Sequence, residues 1–164
     1  MAEKTLQERA KASRRSGHPT QWAAQFAVAS ELCKRGYEVS FTMGNSTPLA
    51  DLTVVSPAQH KMFLVDVKGL RKDSVWFVDR KPPRKKLFYI FALVPPESSN
   101  RFFIMTQKQV HKILEDKVRR KLRGMPSNQR KRGEIRLRKT EGIGSTSEVV
   151  WPYENKWKVL EAVA

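Results

Sequence analysis

Three residues, Asp51, Asp66 and Lys68, have the types and spacing to do chemistry on a phosphate. Asp66-Val67-Lys68 closes a β-rich run that opens at Met62. In an extended strand alternate side chains share a face, so Asp66 and Lys68 project to one side while Val65 and Val67 face the other. A carboxylate and an ammonium are thereby held side by side. If Asp51, at the start of the preceding strand, lies opposite this end, the two carboxylates can grip one Mg²⁺ or Mn²⁺ ion and leave positions for water and a phosphate. Such an ion stabilises charge growing on phosphate oxygens and lowers the pKa of a bound water. Lys68 can orient or deprotonate that water, or neutralise charge in the transition state. The plainer alternative is a strand-end ion pair between Asp66 and Lys68, although a charge closing so apolar a strand is costly unless partnered.

The surrounding pattern has to supply the frame that brings these residues together. Ser16-Gly17-His18-Pro19 reads as a break, and a helix over residues 20–35 follows, with Trp22, Phe26, Ala29, Leu32 and Cys33 on one apolar face. Gly36 ends it. Tyr37, Val39 and Phe41 alternate with polar residues as in a half-buried strand. Leu52–Val55 and Met62–Val67 read as an antiparallel hairpin, Val75–Val78 as a short strand and Leu87–Val94 as a central strand buried on both faces. Arg101–Met105 is a further strand, and Thr106 caps a helix carrying Val110, Ile113, Leu114 and Val118. From Lys117 to Lys139 the pattern dissolves into a basic loop. The aromatic mass between Trp151 and Leu160 is expected to dock back on the core.

The order helix, strand, hairpin, strand resembles the PD-(D/E)XK nuclease superfamily, which includes many restriction enzymes and the archaeal-type Holliday junction resolvases. Pro48-Leu49-Ala50-Asp51 and Asp66-Val67-Lys68 carry the resemblance, within about residues 20–94. It implies an α/β fold with a restriction-endonuclease-like core, a central mixed β-sheet flanked by helices. The expected organisation is one such domain over residues 1–164, its core at about 18–115, with a basic N-terminal arm and a basic C-terminal extension. By the same resemblance Asp51, Asp66 and Lys68 are the catalytic set, and the backbone carbonyl of Val67 joins the two aspartates as a metal ligand. One departure stands out. Many members carry a glutamate on the first helix, and the matching position here is Gln25, which can lend an oxygen but no charge. Glu31 lies on another side of that helix, and Gln21, one turn before Gln25 on the same face, lines the same cleft or coats the surface, the second being the favoured reading.

A formal net charge of +16 favours a polyanionic partner, nucleic acid above all. Arg71, Lys72, Arg80, Lys81, Arg84, Lys85 and Lys86 follow the acid-bearing strand, and Arg119, Arg120, Lys121, Arg123, Arg130, Lys131 and Arg132 follow later. Such clusters neutralise phosphates without reading bases. Cys33 is the lone cysteine, read as a small buried hydrophobe in a reducing, cytoplasmic setting. No apolar stretch is long enough for a membrane span. Gly142-Ile143-Gly144-Ser145 lacks the context of a phosphate loop. Three functions fit: a metal-dependent endonuclease acting on DNA, possible as a homodimer; a nuclease-fold nucleic-acid-binding module without catalysis; and a basic RNA-binding structural protein.

Overall fold

The chain, as a computed structural model, is described over residues 6–42, 49–130 and 140–162, with side chains from Pro19 onward. In chain order the elements are α1 (Leu6–Lys34), β1 (Glu38–Phe41), β2 (Leu52–Ser56), β3 (Lys61–Leu70), β4 (Val75–Asp79), β5 (Leu87–Leu93), β6 (Arg101–Thr106), α2 (Gln107–Arg123) and β7 (Thr140–Gly144). No helix among the described residues is long and apolar enough to cross a membrane.

The first helix corrects the expected break. It starts at Leu6 and runs through Pro19, so part of the stretch read as a basic arm forms its opening turns. Proline there removes one intrahelical N–H, and the Glu, Arg, Lys, Gln and Ala residues before it are good helix formers.

Five strands form a mixed sheet in the order β1-β2-β3-β5-β6. Only the central β3–β5 pair is parallel; its neighbours are antiparallel. All residues of β5 are buried, because both faces of the sheet are covered. Phe88, Ile90 and Ala92 point to one face, where Ala24, Val28 and Leu32 of α1 pack with Val65 and Val67 of β3. Tyr89, Phe91 and Leu93 point to the other, against Val110 and Leu114 of α2 and Trp76, Val78 and Ile143 of a second, two-stranded sheet. This period-two sorting of side chains makes a continuous apolar run into a central strand.

The buried stripe of α1 keeps only Ala29 and Leu32 of the face expected from sequence. Trp22 is half-buried, Phe26 is 59% exposed and Cys33 is exposed, while Ala24, Gln25, Val28, Ala29 and Leu32 face inward. Close approach decides this. A Cβ built on Gly69 of β3 would stand 2.6 Å from the Ala24 Cβ and 3.0 Å from the Thr20 carbonyl oxygen, so helix and strand meet where only small residues fit. Gly69→Ala is therefore expected to cost about 1–2 kcal/mol through overpacking, read as a lower urea midpoint; an unchanged midpoint would show that α1 yields freely at this contact.

The second half of the chain departs further from the sequence reading. The basic residues from Lys117 to Arg123, expected in a loop, form the last turns of α2, continuing the stripe of Val110, Leu114 and Val118. Thr106 caps the helix as expected, in a reciprocal box with Gln109. Residues 140–144, without an expected structure, form β7, which pairs with β4 rather than with the main sheet. Residues 140–162 are thus built into the core rather than appended to it. Trp157 and Leu160 are buried with Phe102, and Asn155 donates to the Phe102 carbonyl at 2.9 Å. Arg101 grips Glu154 with two hydrogen bonds of 2.8 and 2.9 Å, so the outer edge of β6 is partly covered.

Candidate active site

The site forms where β2 stops and β3 continues. Register pairs Leu52 with Val65; beyond that point β3 has β5 on one side and, among the described residues, no strand on the other. Its exposed ladder groups are satisfied by side chains instead. The Val67 N–H donates to Asp51 Oδ2 at 2.7 Å, the Val67 carbonyl accepts from Gln21 Nε2 at 2.8 Å, and the Gly69 N–H donates to Gln21 Oε1 at 3.2 Å. Gln21, expected on the surface, acts as a surrogate strand. Its only sequence signal was its place one turn before Gln25 on the same helix face.

Asp51 sits one residue before β2. Its backbone N–H donates to the Val65 carbonyl and its own carbonyl accepts from the Thr42 N–H, both at 3.0 Å. Gln25, itself 6% exposed, donates from Nε2 to Asp51 Oδ1 at 3.0 Å. The Asp51 carboxyl is pushed above its ordinary pKa chiefly by burial, against the Val67 N–H, which lowers it, with the Asp66 charge adding to the rise and the charges of Lys68 and Lys81 opposing it.

Asp66 is 1% exposed. Lys68 Nζ lies 2.7 Å from its Oδ1, and Lys81 pairs with its Oδ2 while also donating to the Leu49 carbonyl at 2.9 Å. Sequence reasoning placed Lys81 among the contacts to phosphates on either side of the scissile one; the structure puts it against Asp66 itself, because Gln107, the first residue of α2, pins its loop. Gln107 donates to the carbonyls of Lys81 and Pro82 at 3.3 and 3.0 Å and accepts from the Arg84 N–H at 2.6 Å. Nothing in the sequence singled out Lys81 from its basic neighbours or Gln107 from other polar residues.

The fold therefore gathers Asp51, Asp66, Lys68 and Gln25, together with Gln21 and Lys81, at one end of the β2–β3 hairpin. Glu31 points elsewhere, paired with Lys34 and Arg35 at 2.9 and 2.6 Å. Among the described residues no group of three or more His, Cys, Asp or Glu side chains could hold a metal ion. Two neighbouring carboxylates supply hard oxygen donors of the kind Mg²⁺ and Mn²⁺ take, and such ions habitually complete their shell with water and substrate oxygens. Asp51 and Asp66 supply donors of that chemical type, and all four of their oxygens are met here by Gln25, the Val67 N–H, Lys68 and Lys81. At Val67 a ligating carbonyl would share its oxygen with Gln21.

The basic residues divide. Arg71, Lys72, Arg84, Lys85, Lys86, Arg119, Arg120 and Arg123 are exposed. Arg80 pairs with Glu115, and Lys121 with Glu141 at 2.7 Å, so each already has a carboxylate within reach. Arg130 is exposed and donates to the Met125 carbonyl at 3.0 Å; Lys131 and Arg132 lie outside the described residues. Ser145, from the rejected phosphate-loop stretch, bonds Asp73 at 2.9 Å and the Ser74 N–H at 3.0 Å, tying the β4–β7 ribbon together.

No protein-family model matches the chain, and no curated protein matches it. Among solved structures it is similar to a bacterial homing endonuclease, with 15% sequence identity, a TM-score of 0.49, and 87% of this chain and 89% of that one covered.

Proposed function

We propose that the chain is a metal-dependent nuclease of the PD-(D/E)XK type that hydrolyses phosphodiester bonds of DNA in the cytoplasm. The observation that carries the reading is the convergence of Asp51, Asp66 and Lys68 at the open end of β3, with Asp66 buried and held by Lys68. A structural ion pair needs no second carboxylate beside it; this site has one, electrostatically coupled to the first.

In this reading Asp51 and Asp66 hold the ion, with the Val67 carbonyl as a further oxygen. When bound, Mg²⁺ or Mn²⁺ supplies Lewis-acid stabilisation of the phosphate and a more acidic water. The chain does the rest. Gln25 and the Val67 N–H fix the Asp51 carboxylate in one orientation, and β5 pairing fixes the strand that bears Asp66. Lys68 Nζ, 27% exposed at its side chain, is near enough to solvent to donate to a phosphate oxygen or to a water oxygen. Lys81, held from behind by the Leu49 carbonyl, adds a second positive charge where a phosphodiester would bring negative charge. The exposed arginines and lysines extend that field and make binding salt-dependent.

A second reading is a nuclease-like binding module without catalysis. It is favoured by one feature: both Asp66 oxygens are already met by ammonium groups, which neutralise the acid without a metal. Incubation of the full chain with duplex, branched and single-stranded DNA in Mg²⁺, Mn²⁺ or EDTA separates the two. Nicks that appear with metal and vanish with EDTA are expected. Tight, salt-sensitive binding without cleavage in either metal would leave only the binding module.

A further inference from the structure

Trp22 and Phe26, the largest apolar side chains on the described part of α1, are not in the core, and each directly follows in the chain a glutamine that bonds the site. Trp22 and Phe26 are stacked, with centroids 5.7 Å apart and an interplanar angle of 25°. Phe41 of β1 closes on both, at 6.5 Å from Trp22 and 5.3 Å from Phe26. Phe26 keeps 59% of its surface exposed. Each ring is the immediate chain neighbour of a residue that bonds the site: Trp22 follows Gln21, which holds the Val67 carbonyl; Phe26 follows Gln25, which holds Asp51; Phe41 precedes Thr42, whose N–H donates to the Asp51 carbonyl.

Trp22 and Phe41 are half-buried and only Phe26 is largely in water, and leaving that ring exposed forgoes burial that the fold could otherwise use. The small residues Ala24 and Gly69 explain why α1 turns this stripe away from β3 and towards the edge strand β1, but not why the stripe is aromatic. We propose that Trp22, Phe26 and Phe41 form a stacking platform for an unpaired nucleobase of the strand that crosses the Asp51–Asp66 site. The proposal rests on the nuclease reading and names its substrate class: nucleic acid with an unstacked base next to the scissile phosphate, as in a single strand, a flap or a branch. The charge of +16 draws the backbone, and an exposed ring offers a face to any base regardless of sequence. In an intact duplex those base faces are already covered by their neighbours.

The test is equilibrium binding of the full chain in EDTA, so that no strand is cut, to a fluorescent single-stranded oligodeoxynucleotide and to the same sequence as a blunt duplex at fixed salt. Phe26→Ala should weaken single-strand binding about ten-fold, the scale of one lost base–aromatic stack, and leave duplex binding within about two-fold. Phe26→Trp should restore it, and because Phe26 is exposed the variants should melt with the parent. Equal single-strand affinity for parent and Phe26→Ala overturns the platform, as does an equal loss on both ligands. If sedimentation shows that Phe26→Ala turns a dimer into a monomer without altering single-strand affinity, the rings are a self-association face and the proposal fails. A Phe26-dependent single-strand preference in a chain that never cleaves with metal would sink the nuclease reading and leave the platform standing as a binding site.

Discussion

For the proposed nuclease, Asp66→Ala is expected to reduce metal-dependent cleavage by about 10³-fold or more, since several kcal/mol of transition-state charge stabilisation would disappear with the carboxylate. The same substitution removes the partner shared by Lys68 and Lys81. Their side chains are 27% and 17% exposed, so both ammonium groups can turn towards water, and the fold should survive with a modest loss. Asp66→Asn, which keeps the volume and discards the charge, should be just as inactive while melting closer to the parent. The assay is a single-turnover cleavage rate in saturating Mg²⁺, alongside thermal melts of each variant. A folded Asp66→Asn chain that cleaves at the parental rate would remove Asp66 from the chemistry and with it the case for a metal held there.

Lys121→Met is expected to lower stability by about 1–2 kcal/mol at neutral pH, less than for a fully buried ion pair because the lysine is exposed and only Glu141 is buried. Glu141 is 6% exposed and both its oxygens accept from Lys121, at 2.7 and 2.8 Å. Burial pushes the Glu141 carboxyl up, but the Lys121 hydrogen bond, the Gly142 N–H and the charges of Lys121 and Lys117 outweigh it and hold the group below the ordinary carboxylate range. A carboxylate depressed in the folded state binds fewer protons than it does unfolded. Its stabilisation is therefore present above the unfolded pKa of about 4.3 and drains away as pH falls through the folded value. Without Lys121 burial dominates and protonation relieves the strain, so the gap between parent and variant should narrow from pH 7 to pH 4. Urea unfolding at the two pH values measures it. A gap that stays constant would mean that Lys121 contributes packing rather than charge at the joint between α2 and β7.

The acid–lysine geometry was legible because it depends on short-range rules. Alternation along one strand puts Asp66 and Lys68 on a common face, and the Leu52–Val65 register brings Asp51 to the same end. The apolar run of β5 and the Thr106 cap were legible for similar local reasons. Choosing the inward stripe of α1 required more. The helix carries two candidate apolar stripes, and the larger one, with Trp22 and Phe26, loses because Gly69 brings the strand so near that only Ala24 fits. That distance belongs to the assembled sheet and leaves no trace in the periodicity. β7 was illegible for another reason: its partner β4 lies more than sixty residues earlier, and its sequence is rich in glycine. Lys81 was hidden in a run of like charges, and only the Gln107 clasp sets it apart.

The substitution of side chains for a missing strand beside β3 divides the burdens on neighbouring positions unequally. Gln21 completes backbone pairing, so any descendant must retain an amide there to keep the hairpin's end from fraying, whatever it does for a living. Lys68 and Gln25 support the acids alone. If the proposed hydrolysis is what these acids do, relatives without it would let those two drift while holding the first, so the pattern of changes tolerated at the three positions would record whether selection acts on the reaction.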